Sequence, residues 1–335
     1  MIKFKYLKMK EKKNTIRSHY IPQTYLKHFL LDDKLFMYKK GENFFKRSND
    51  SEKRILEVRG VDALKNIGLE NNIYKLNIGS FNSDDIEDIF REYGENFFDD
   101  VVSKIDQIKE GEEINFEIRE KICIFMGAML IRTPFFKKQS EDIDSSLRKY
   151  FTALSLKNED LKRIKKDLIR EGKKYSIKEL SIAKQRLIDG NYELQYPNEF
   201  FIKVALSSLE QYINIFREMK MVIFKNKEAR YFITSDNPVV YFVPREKVNF
   251  YNPYKSLVSK HTEVFFPVTK NLAIFLSRRD NIREVLQYGN RGIVDLFNEN
   301  ISHNSLNFLF SPLKMNKLKK FVEEYIPYPF EIRIY

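Results

Sequence analysis

The hydrophobic pattern changes near residue 219, and this change constrains the fold more than any other feature of the sequence. Before it, apolar residues recur with the period of a helix, as in the segment 81–108, where Ile86, Phe90, Phe97 and Val101 share one face. After it come short β-branched and aromatic runs bounded by turn residues, such as MKMVIFKN, ARYFITSD, PVVYFV, TEVFFPV and LAIFLS. The sequence therefore predicts an α+β fold with helices first and a mainly antiparallel sheet second.

The chain carries no internal repeat, low-complexity tract or linker, so we expect a single domain over 1–335. Its helix-rich part, 17–218, is expected to pack on the sheet-rich part, 219–325, after a basic leader at 1–16. An early strand, KLFMYKK, is a candidate to join that sheet, and FITSD and LAIFLS are expected to be neighbouring or near-neighbouring strands. The segment NFEIREKICIFMGAMLIRTPFFKKQ is apolar nearly all round, which predicts a central buried helix that ends or bends after Arg132 because of Pro134.

The single cysteine, Cys123, has no partner for an intramolecular disulfide and no second thiolate for a zinc site. A buried, inert thiol in a reducing compartment is therefore expected. The apolar stretch 122–131 is about half as long as a membrane span, and charges occupy the place where a signal peptide needs an apolar run. These features predict a cytoplasmic protein without a membrane segment, and they leave its oligomeric state open.

The formal net charge of +12 favours a polyanionic partner such as nucleic acid. The abundance of Lys, Asn, Ile and Phe would also fit an AT-rich genome without any selection for binding. The excess is concentrated in residues 137–186, which hold fifteen Lys or Arg against eight acidic residues. Within it, Lys162, Arg163, Lys165 and Lys166 are the candidate contacts to substrate, and a solvated helical face is the alternative.

A second polar feature is the sequence FITSDNPVV, in which a strand ends in Ser235, Asp236, Asn237 and Pro238 and a new strand follows at once. Polar side chains at a strand end are well placed for catalysis. The alternative is structural, because these residue types are the common turn formers and Asp236 would accept backbone hydrogen bonds in an Asx turn.

The segments HYIPQTYLKHF, LENNIYKL, AMLIRTPFF, YFITSDNPVV, VFFPVTKNLAIFL and LFNENISHNSLNFLFSP occur in this order along the chain. In this respect the sequence resembles the prokaryotic family called domain of unknown function 4238, over nearly its whole length. The family name assigns no mechanism, so the resemblance implies only a pattern of polar positions. These positions fall on His19, Gln23, Arg132, Ser235, Asp236, Asn237, and Asn298 or Asn300, and Glu95 matches an acidic position in the long helix.

These residue types are what a catalytic site needs. A histidine transfers protons, an arginine holds an anion, and a carboxylate orients a base or binds a cation. We therefore predict that His19, Gln23, Arg132, Ser235, Asp236 and Asn237 form a shared cleft in which Tyr20 and Asn298 contact substrate. The alternative is a structural network in which His19 caps the helix at Pro22, Arg132 pairs with Glu95 or Asp236, and Gln23 satisfies buried backbone groups.

The sequence contains no Gly-rich phosphate loop, G-x-S-x-G elbow, H-E-x-x-H motif or Cys/His zinc spacing, which disfavours the corresponding enzyme classes. The first functional hypothesis is a phosphodiester hydrolase, a nuclease of a phage-defence or mobile-element system. His19 would be its general acid or base, and Asp236 and Glu95 would hold a divalent ion, Mg²⁺ or Mn²⁺. The alternative is a non-catalytic protein that binds nucleic acid or a nucleotide. An enzyme requires His19, Arg132 and Asp236 in one open pocket, whereas a binding protein requires only a continuous basic face.

Overall fold

The computed structural model describes residues 17–41, 54–71, 73–74, 83–227, 230–249 and 253–324, and the predicted basic leader lies outside them. The α+β prediction is confirmed. The helices of the described residues are α1 (Gln23–Leu26), α2 (Ser83–Phe90), α3 (Asn96–Gln107), α4 (Phe116–Ile131), α5 (Pro134–Lys157), α6 (Leu161–Arg170), α7 (Ile177–Ile188), α8 (Asn198–Arg217), α9 (Arg291–Asn304) and α10 (Asn316–Glu323). None of these helices is at once long enough and apolar enough to cross a bilayer.

The central buried helix predicted from the sequence is α4. It begins at the cap residue Asn115, whose side chain accepts a hydrogen bond from the Glu117 amide at 2.7 Å. It ends at Arg132, because Thr133 caps the next helix and Pro134 occupies the first position of α5. The expected break after Arg132 is therefore present, and it places the arginine at the junction of two helices.

The long helix expected in the segment 81–108 is present over residues 83–107, and one turn inside it is wider than an α-helical turn. A widened turn, Arg91–Glu95, separates α2 from α3 within this segment. Gly94 lies in that turn, and a Cβ atom added to it would come within 2.7 Å of the Phe125 ring. The glycine therefore allows the turn to lie directly against α4, and the turn positions Glu95 beside the end of that helix.

The strands are β1 (Arg17–His19), β2 (Lys34–Lys39), β3 (Ile55–Arg59), β4 (Leu69–Asn71), β5 (Lys220–Asn226), β6 (Thr234–Ser235), β7 (Val240–Phe242), β8 (Glu263–Pro267), β9 (Leu272–Ser277), β10 (Leu286–Gly289) and β11 (Phe308–Ser311). They form a pair, β1–β4, a five-stranded sheet in the order β10-β5-β9-β8-β7, and a four-stranded sheet in the order β3-β2-β11-β6. The early strand β2 joins C-terminal strands, as expected, and only the β10–β5 pairing is parallel among the described strands.

The C-terminal half contributes to two sheets instead of one. The expectation that FITSD and LAIFLS are neighbouring strands is wrong, because β6 lies in the four-stranded sheet and β9 lies in the five-stranded sheet. The chain changes sheets at residues 236–239, where Pro238 has no amide for a strand ladder. After this turn, β7 starts at Val240 and pairs with β8. The Ser-Asp-Asn-Pro turn is thus the connection between the two sheets.

Aromatic side chains dominate the interior. The larger hydrophobic cluster joins the start of the chain, the helices and the five-stranded sheet, with Tyr25 stacked on Phe266 and Phe98 stacked on Phe125. A smaller cluster includes Phe297 of α9 and lies between the sheets. Each such aromatic side chain buries roughly 150–250 Å².

The single-domain organisation itself stays a prediction.

Candidate functional site

The start motif, residues 19–23, lies where β1 gives way to α1. Strand β1 pairs with β4, which places His19 opposite Leu69. Pro22 occupies the position before α1, and Gln23 is the first residue of that helix. The Nε2 atoms of His19 and Gln23 are 3.2 Å apart, and Gln23 is half-buried. The structure therefore brings together the two polar side chains of the motif.

Arg132 connects this motif to the helices. It is 3% exposed as a residue, and its Nη1 donates to Glu95 Oε1 at 2.9 Å. Nη2 donates to the backbone oxygen of His19 at 2.6 Å, and the guanidinium lies over the Phe90 ring at 4.8 Å. The ion pair with Glu95 matches the structural alternative for Arg132. The Nε atom has no hydrogen-bond partner among the described residues, so one buried donor is left at this position.

The phenol of Tyr20 in the start motif and two carboxyl groups near the motif have raised pKa values. Burial raises the pKa of Tyr20 well above its ordinary range, and Asp236 and Glu70 raise it further. Burial also raises the pKa of Glu70, against the influence of Lys137. Burial raises the pKa of Glu87 as well, against the influence of the Arg132 and Arg91 charges, and Asp84 raises it further. Carboxyl groups shifted in this direction hold a proton closer to neutral pH, which is a property of acid–base sites.

Asp236 is buried at the end of β6, with 1% of its surface exposed. Its Oδ1 accepts a hydrogen bond from the Leu306 amide at 2.8 Å. Its Oδ2 accepts hydrogen bonds from the amides of Asn307 at 2.6 Å and Phe308 at 3.0 Å. Burial raises the pKa of Asp236 to about 6, against these amides and the nearby Lys40 ammonium. Both oxygens thus fasten the turn to the loop before β11.

Ser235 and Asn237 stabilise the same turn from within. The Ser235 hydroxyl donates to the Asn237 carbonyl at 2.9 Å and accepts from the Asn237 amide at 3.1 Å. The Asn237 side chain donates through Nδ2 to the Asn304 carbonyl at 2.9 Å. Its Oδ1 is buried and lacks a hydrogen-bond partner in the described part of the chain. Ser235 therefore stabilises the turn internally, and Asn237 holds it on the end of α9.

The start motif and the Ser-Asp-Asn-Pro turn lie close together. The Tyr25 hydroxyl lies 2.7 Å from Thr234 Oγ1 and donates to the Pro267 carbonyl at 2.6 Å. Tyr20 is near enough to Asp236 for the carboxylate to raise its pKa. His19 contacts Gln23 and Arg132, whereas Asp236 contacts the loop before β11. The structure thus gathers the predicted residues into two adjoining groups.

Asn298 has a structural role on α9. Its Oδ1 accepts a hydrogen bond from the Ile233 amide, and its Nδ2 donates to the Tyr231 carbonyl, both at 2.9 Å. Asn300, the alternative position, donates to the Leu296 carbonyl of its own helix. The side chain of Asn298 therefore acts as a strand partner for the segment before β6. Its predicted contact with substrate stays a prediction.

The basic residues of α6 lie apart from both groups. Lys162, Arg163 and Lys166 are exposed, and Lys165 is half-buried. Arg163 Nη2 lies 3.7 Å from Glu159, which is a weak surface ion pair. Helix α5 begins beside Arg132 and is 24 residues long, or about 36 Å, and α6 follows its far end. The basic helix is thus not part of a pocket around His19.

The predicted metal ligands do not form a metal site. Glu95 is paired with Arg132, and Asp236 accepts three backbone amides. Within the described ranges, no group of three or more His, Cys, Asp or Glu side chains is arranged to hold a metal ion. A divalent ion such as Mg²⁺ takes several oxygen ligands, and these two carboxylates already have other partners. A metal-binding role for Glu95 and Asp236 stays a prediction.

Several residues of this region were not identified from the sequence. Glu70 lies in LENNIYKL, so its position in that segment was a usable signal. Lys40 donates to the carbonyls of Ser302 and Ser305 at 2.8 and 2.9 Å, and burial lowers its pKa to about 8. Lys255 donates to Asn304 Oδ1 at 2.5 Å, and burial lowers its pKa to about 7. The two lysines thus meet the C-terminal end of α9, where helix carbonyls favour cations.

A small apolar cavity lies elsewhere in the molecule, with Phe98, Phe125 and Phe266 among its lining residues. None of the predicted site residues lines this cavity.

Comparison with known proteins places the chain in a family. The family model described as "Protein of unknown function (DUF4238)" matches residues 17–313. The chain belongs to this family. Neither the curated proteins nor the solved structures contain a match. The DUF4238 match includes both groups of predicted site residues, the basic helix α6 and the connection between the two sheets.

Proposed function

We propose that this protein binds nucleic acid through a basic surface formed by residues 161–174, which include α6 and the segment after it. The observation that carries the proposal is the concentration of exposed positive charge there. The stretch holds seven Lys or Arg and two acidic residues. Lys162 and Lys166 are exposed, and neither forms an ion pair within the described part of the chain. Such cations remain available to phosphate groups.

The geometry of α6 separates its charge from its apolar side chains. Leu161, Ile164 and Leu168 are half-buried, and the helix packs against α7. Lys162 and Lys166 are four residues apart, so their side chains follow one another along the opposite face at a spacing of about 6 Å. A row of cations on a solvated helix face can follow the backbone of a polyanion.

The test is a binding assay on the purified full chain. Wild-type protein is titrated into RNA, single-stranded DNA and duplex DNA at several salt concentrations, with and without Mg²⁺ or Mn²⁺. The variant K162Q/R163Q/K165Q/K166Q is expected to bind all three more weakly. Its log-log salt slope should be smaller by roughly 0.9 for each duplex-DNA phosphate that the variant no longer neutralises.

The matched control is K314Q/K317Q/K319Q/K320Q, which removes the same charge from exposed lysines at α10. This control is expected to bind nearly as the wild type does. If both variants lose the same affinity, binding reflects net charge alone and α6 is not the contact surface. If the wild type binds none of the three nucleic acids at low salt, the proposal is wrong.

A second candidate function is phosphodiester hydrolysis at the start motif. It is favoured by the pairing of His19 with Gln23, by the hydrogen bond from Arg132 to the His19 backbone, and by the raised pKa values of Glu70 and Glu87. In this scheme His19 transfers a proton in the transition state. Arg132, which holds Glu95 and the backbone oxygen of His19, would position the histidine.

The same nucleic acids serve to test hydrolysis. His19→Ala is expected to abolish cleavage and to leave binding nearly intact, because a general acid or base acts on the transition state more than on affinity. Arg132→Ala should reduce both cleavage and binding. His261→Ala, which changes a half-buried histidine elsewhere, is the control and should cut normally. Normal cleavage by the His19 variant would exclude this site.

A further inference from the structure

An exposed aromatic ring lies directly beside the basic surface of residues 161–174. Tyr175 is the next residue of the chain, and it is 47% exposed. Its side chain makes no hydrogen bond and no contact with another aromatic ring within the described residues. An exposed ring can stack on an unpaired base, because every base presents a flat π face. Positive charge and a stacking surface therefore occur together at this position.

The connection that carries Tyr175 is fixed at both ends. Helix α6 ends in a left-handed turn at Gly172, whose φ is +77°, and the next amide donates back to the Leu168 carbonyl at 2.9 Å. Helix α7 begins at the cap residue Ser176, whose hydroxyl accepts a hydrogen bond from the Glu179 amide at 3.1 Å. The backbone of Tyr175 is thus held between two capped helix ends. A group held in this way loses less conformational entropy when a ligand binds.

Cations flank the ring on both sides. Lys174 precedes Tyr175 and Lys178 follows it by three residues, and both lysines are exposed. Neither forms an ion pair in the part of the chain that the structure describes. The nearest acidic side chains in the sequence already have partners. Glu171 lies 3.1 Å from the ammonium of the lysine two positions on, and Glu179 accepts a backbone amide of the helix cap at 2.7 Å. The charge next to the ring is therefore available to phosphate groups.

We propose that the ligand of the basic surface is a single-stranded nucleic acid, one of whose bases stacks on Tyr175. This inference rests on the proposed binding of nucleic acid and names its form. In a single strand the phosphates can contact the lysines while a base turns toward the ring. In a duplex the bases are stacked on one another, so only the phosphates reach this surface.

Four probes of equal length measure the contribution of the ring: single-stranded RNA, single-stranded DNA, duplex DNA, and a DNA strand without bases. Tyr175→Ala is expected to weaken binding of the two normal single strands by roughly 5–150-fold, the cost of one unstacked base. Binding of the duplex and of the abasic strand should be unchanged. The salt slope should also be unchanged for every probe, because no phosphate contact is lost. Tyr175→Phe keeps the ring and should bind as the wild type does.

Phe116→Ala is the matched control. It removes a ring that is 76% exposed at the start of α4, and it should bind all four probes as the wild type does. An equal loss on all four probes, or no loss on the single strands, overturns the stacking of a base on Tyr175. If the variant K162Q/R163Q/K165Q/K166Q alone binds more weakly, the basic surface stands without the ring. If the wild type binds no probe at low salt, both proposals fail.

Photochemical cross-linking locates the contact independently of any substitution. Irradiation of a strand that carries 5-iodouracil attaches this base to an aromatic side chain that touches it. The adduct is expected on Tyr175 of the wild-type chain, identified by mass spectrometry after digestion. Absence of the Tyr175 adduct at a saturating concentration of the strand overturns the proposal.

Discussion

At the scale of single residues, Asp236 lies in a motif whose residue types suggest catalysis, and its carboxylate holds a loop by hydrogen bonds. Three backbone amides from one loop converge on its carboxylate. A net hydrogen bond to a charged group typically contributes about 1.5–3 kcal/mol. Burial disfavours the charge, which is why the pKa rises to about 6. Asp236 therefore stabilises the loop, although burial makes its ionised form unfavourable.

Asp236 should give the protein a specific dependence of stability on pH. Because its pKa is raised in the folded state, the folded chain holds the proton more tightly than the unfolded chain does. The stabilisation that the bound proton contributes is fully present below about pH 4 and is lost as the pH rises through about 6. The loss in unfolding free energy is on the order of 3 kcal/mol. Chemical denaturation at a series of pH values measures this loss.

Asp236→Asn is expected to remove that slope between about pH 4 and 6. At pH 4 it should lower stability by roughly 1–3 kcal/mol, because an NH₂ group cannot accept a hydrogen bond from a backbone amide. At neutral pH the loss should be smaller, because asparagine does not ionise and so avoids the unfavourable buried charge. The control is Asp167→Asn on α6, whose side chain is 55% exposed and should leave the curve unchanged. An Asp236→Asn protein that keeps the wild-type slope would show that another group titrates.

The residue contacts divide into those the sequence could indicate and those it could not. His19 and Gln23 are four positions apart at a helix start, and pairing of Arg132 with Glu95 was one of two alternatives for that arginine. The partners of Asp236 lie 70 or more positions away, and nothing local identifies them. The choice between catalytic and structural polar residues depends on such distant partners.

At the scale of elements, the packing of α4 on α8 depends on one glycine. Gly127 lies on α4, and a Cβ atom there would come within 2.6 Å of Ile213 Cγ1 on α8. Alanine favours a helix over glycine by about 1 kcal/mol. The steric clash opposes this gain, because the neighbouring atom belongs to a buried side chain in a tightly packed interface.

Gly127→Ala is therefore expected to destabilise the protein by roughly 1–3 kcal/mol in urea denaturation, despite its better helix propensity. Ile213→Ala removes the clashing atom. In that background the same substitution should be neutral or stabilising, and the difference between the two backgrounds is the measurement. Equal effects in both would mean that α4 and α8 are not in close contact at this position.

Helices and strands with a strong local hydrophobic pattern could be predicted from the sequence, but the elements that they pack against or pair with could not. The all-round apolar character of α4 and the β-branched runs of β5, β8 and β9 identified these elements from the sequence. The widened turn at Arg91–Glu95 has the same apolar spacing as a continuous helix, so periodicity could not reveal it. The division into two sheets depends on strand pairing between distant segments, which periodicity does not encode.

At the scale of the whole molecule, the hydrogen bond between Tyr25 and Thr234 joins segments 209 positions apart. Tyr25→Phe removes the hydroxyl and leaves the buried Thr234 and Pro267 oxygens without this partner. We expect a loss of roughly 1–3 kcal/mol in unfolding free energy, measured by urea denaturation.

A double-mutant cycle tests whether the two residues act together. Thr234→Val in the Tyr25→Phe background should cost about 1 kcal/mol less than in the wild type. Tyr175→Phe, at an exposed tyrosine, is the control and should leave stability unchanged. Strictly additive losses at Tyr25 and Thr234 would contradict the coupling.

The pairing of β2 with β11 sets the order in which the molecule can be completed during its synthesis. Strand Lys34–Lys39 leaves the ribosome long before its partner Phe308–Ser311 is translated. At about 5–20 residues per second, the interval is roughly 15–50 s. Throughout it, one edge of the nascent β2–β3 pair is open to pairing with other chains. This edge of β2 is therefore covered only after β11 has been translated.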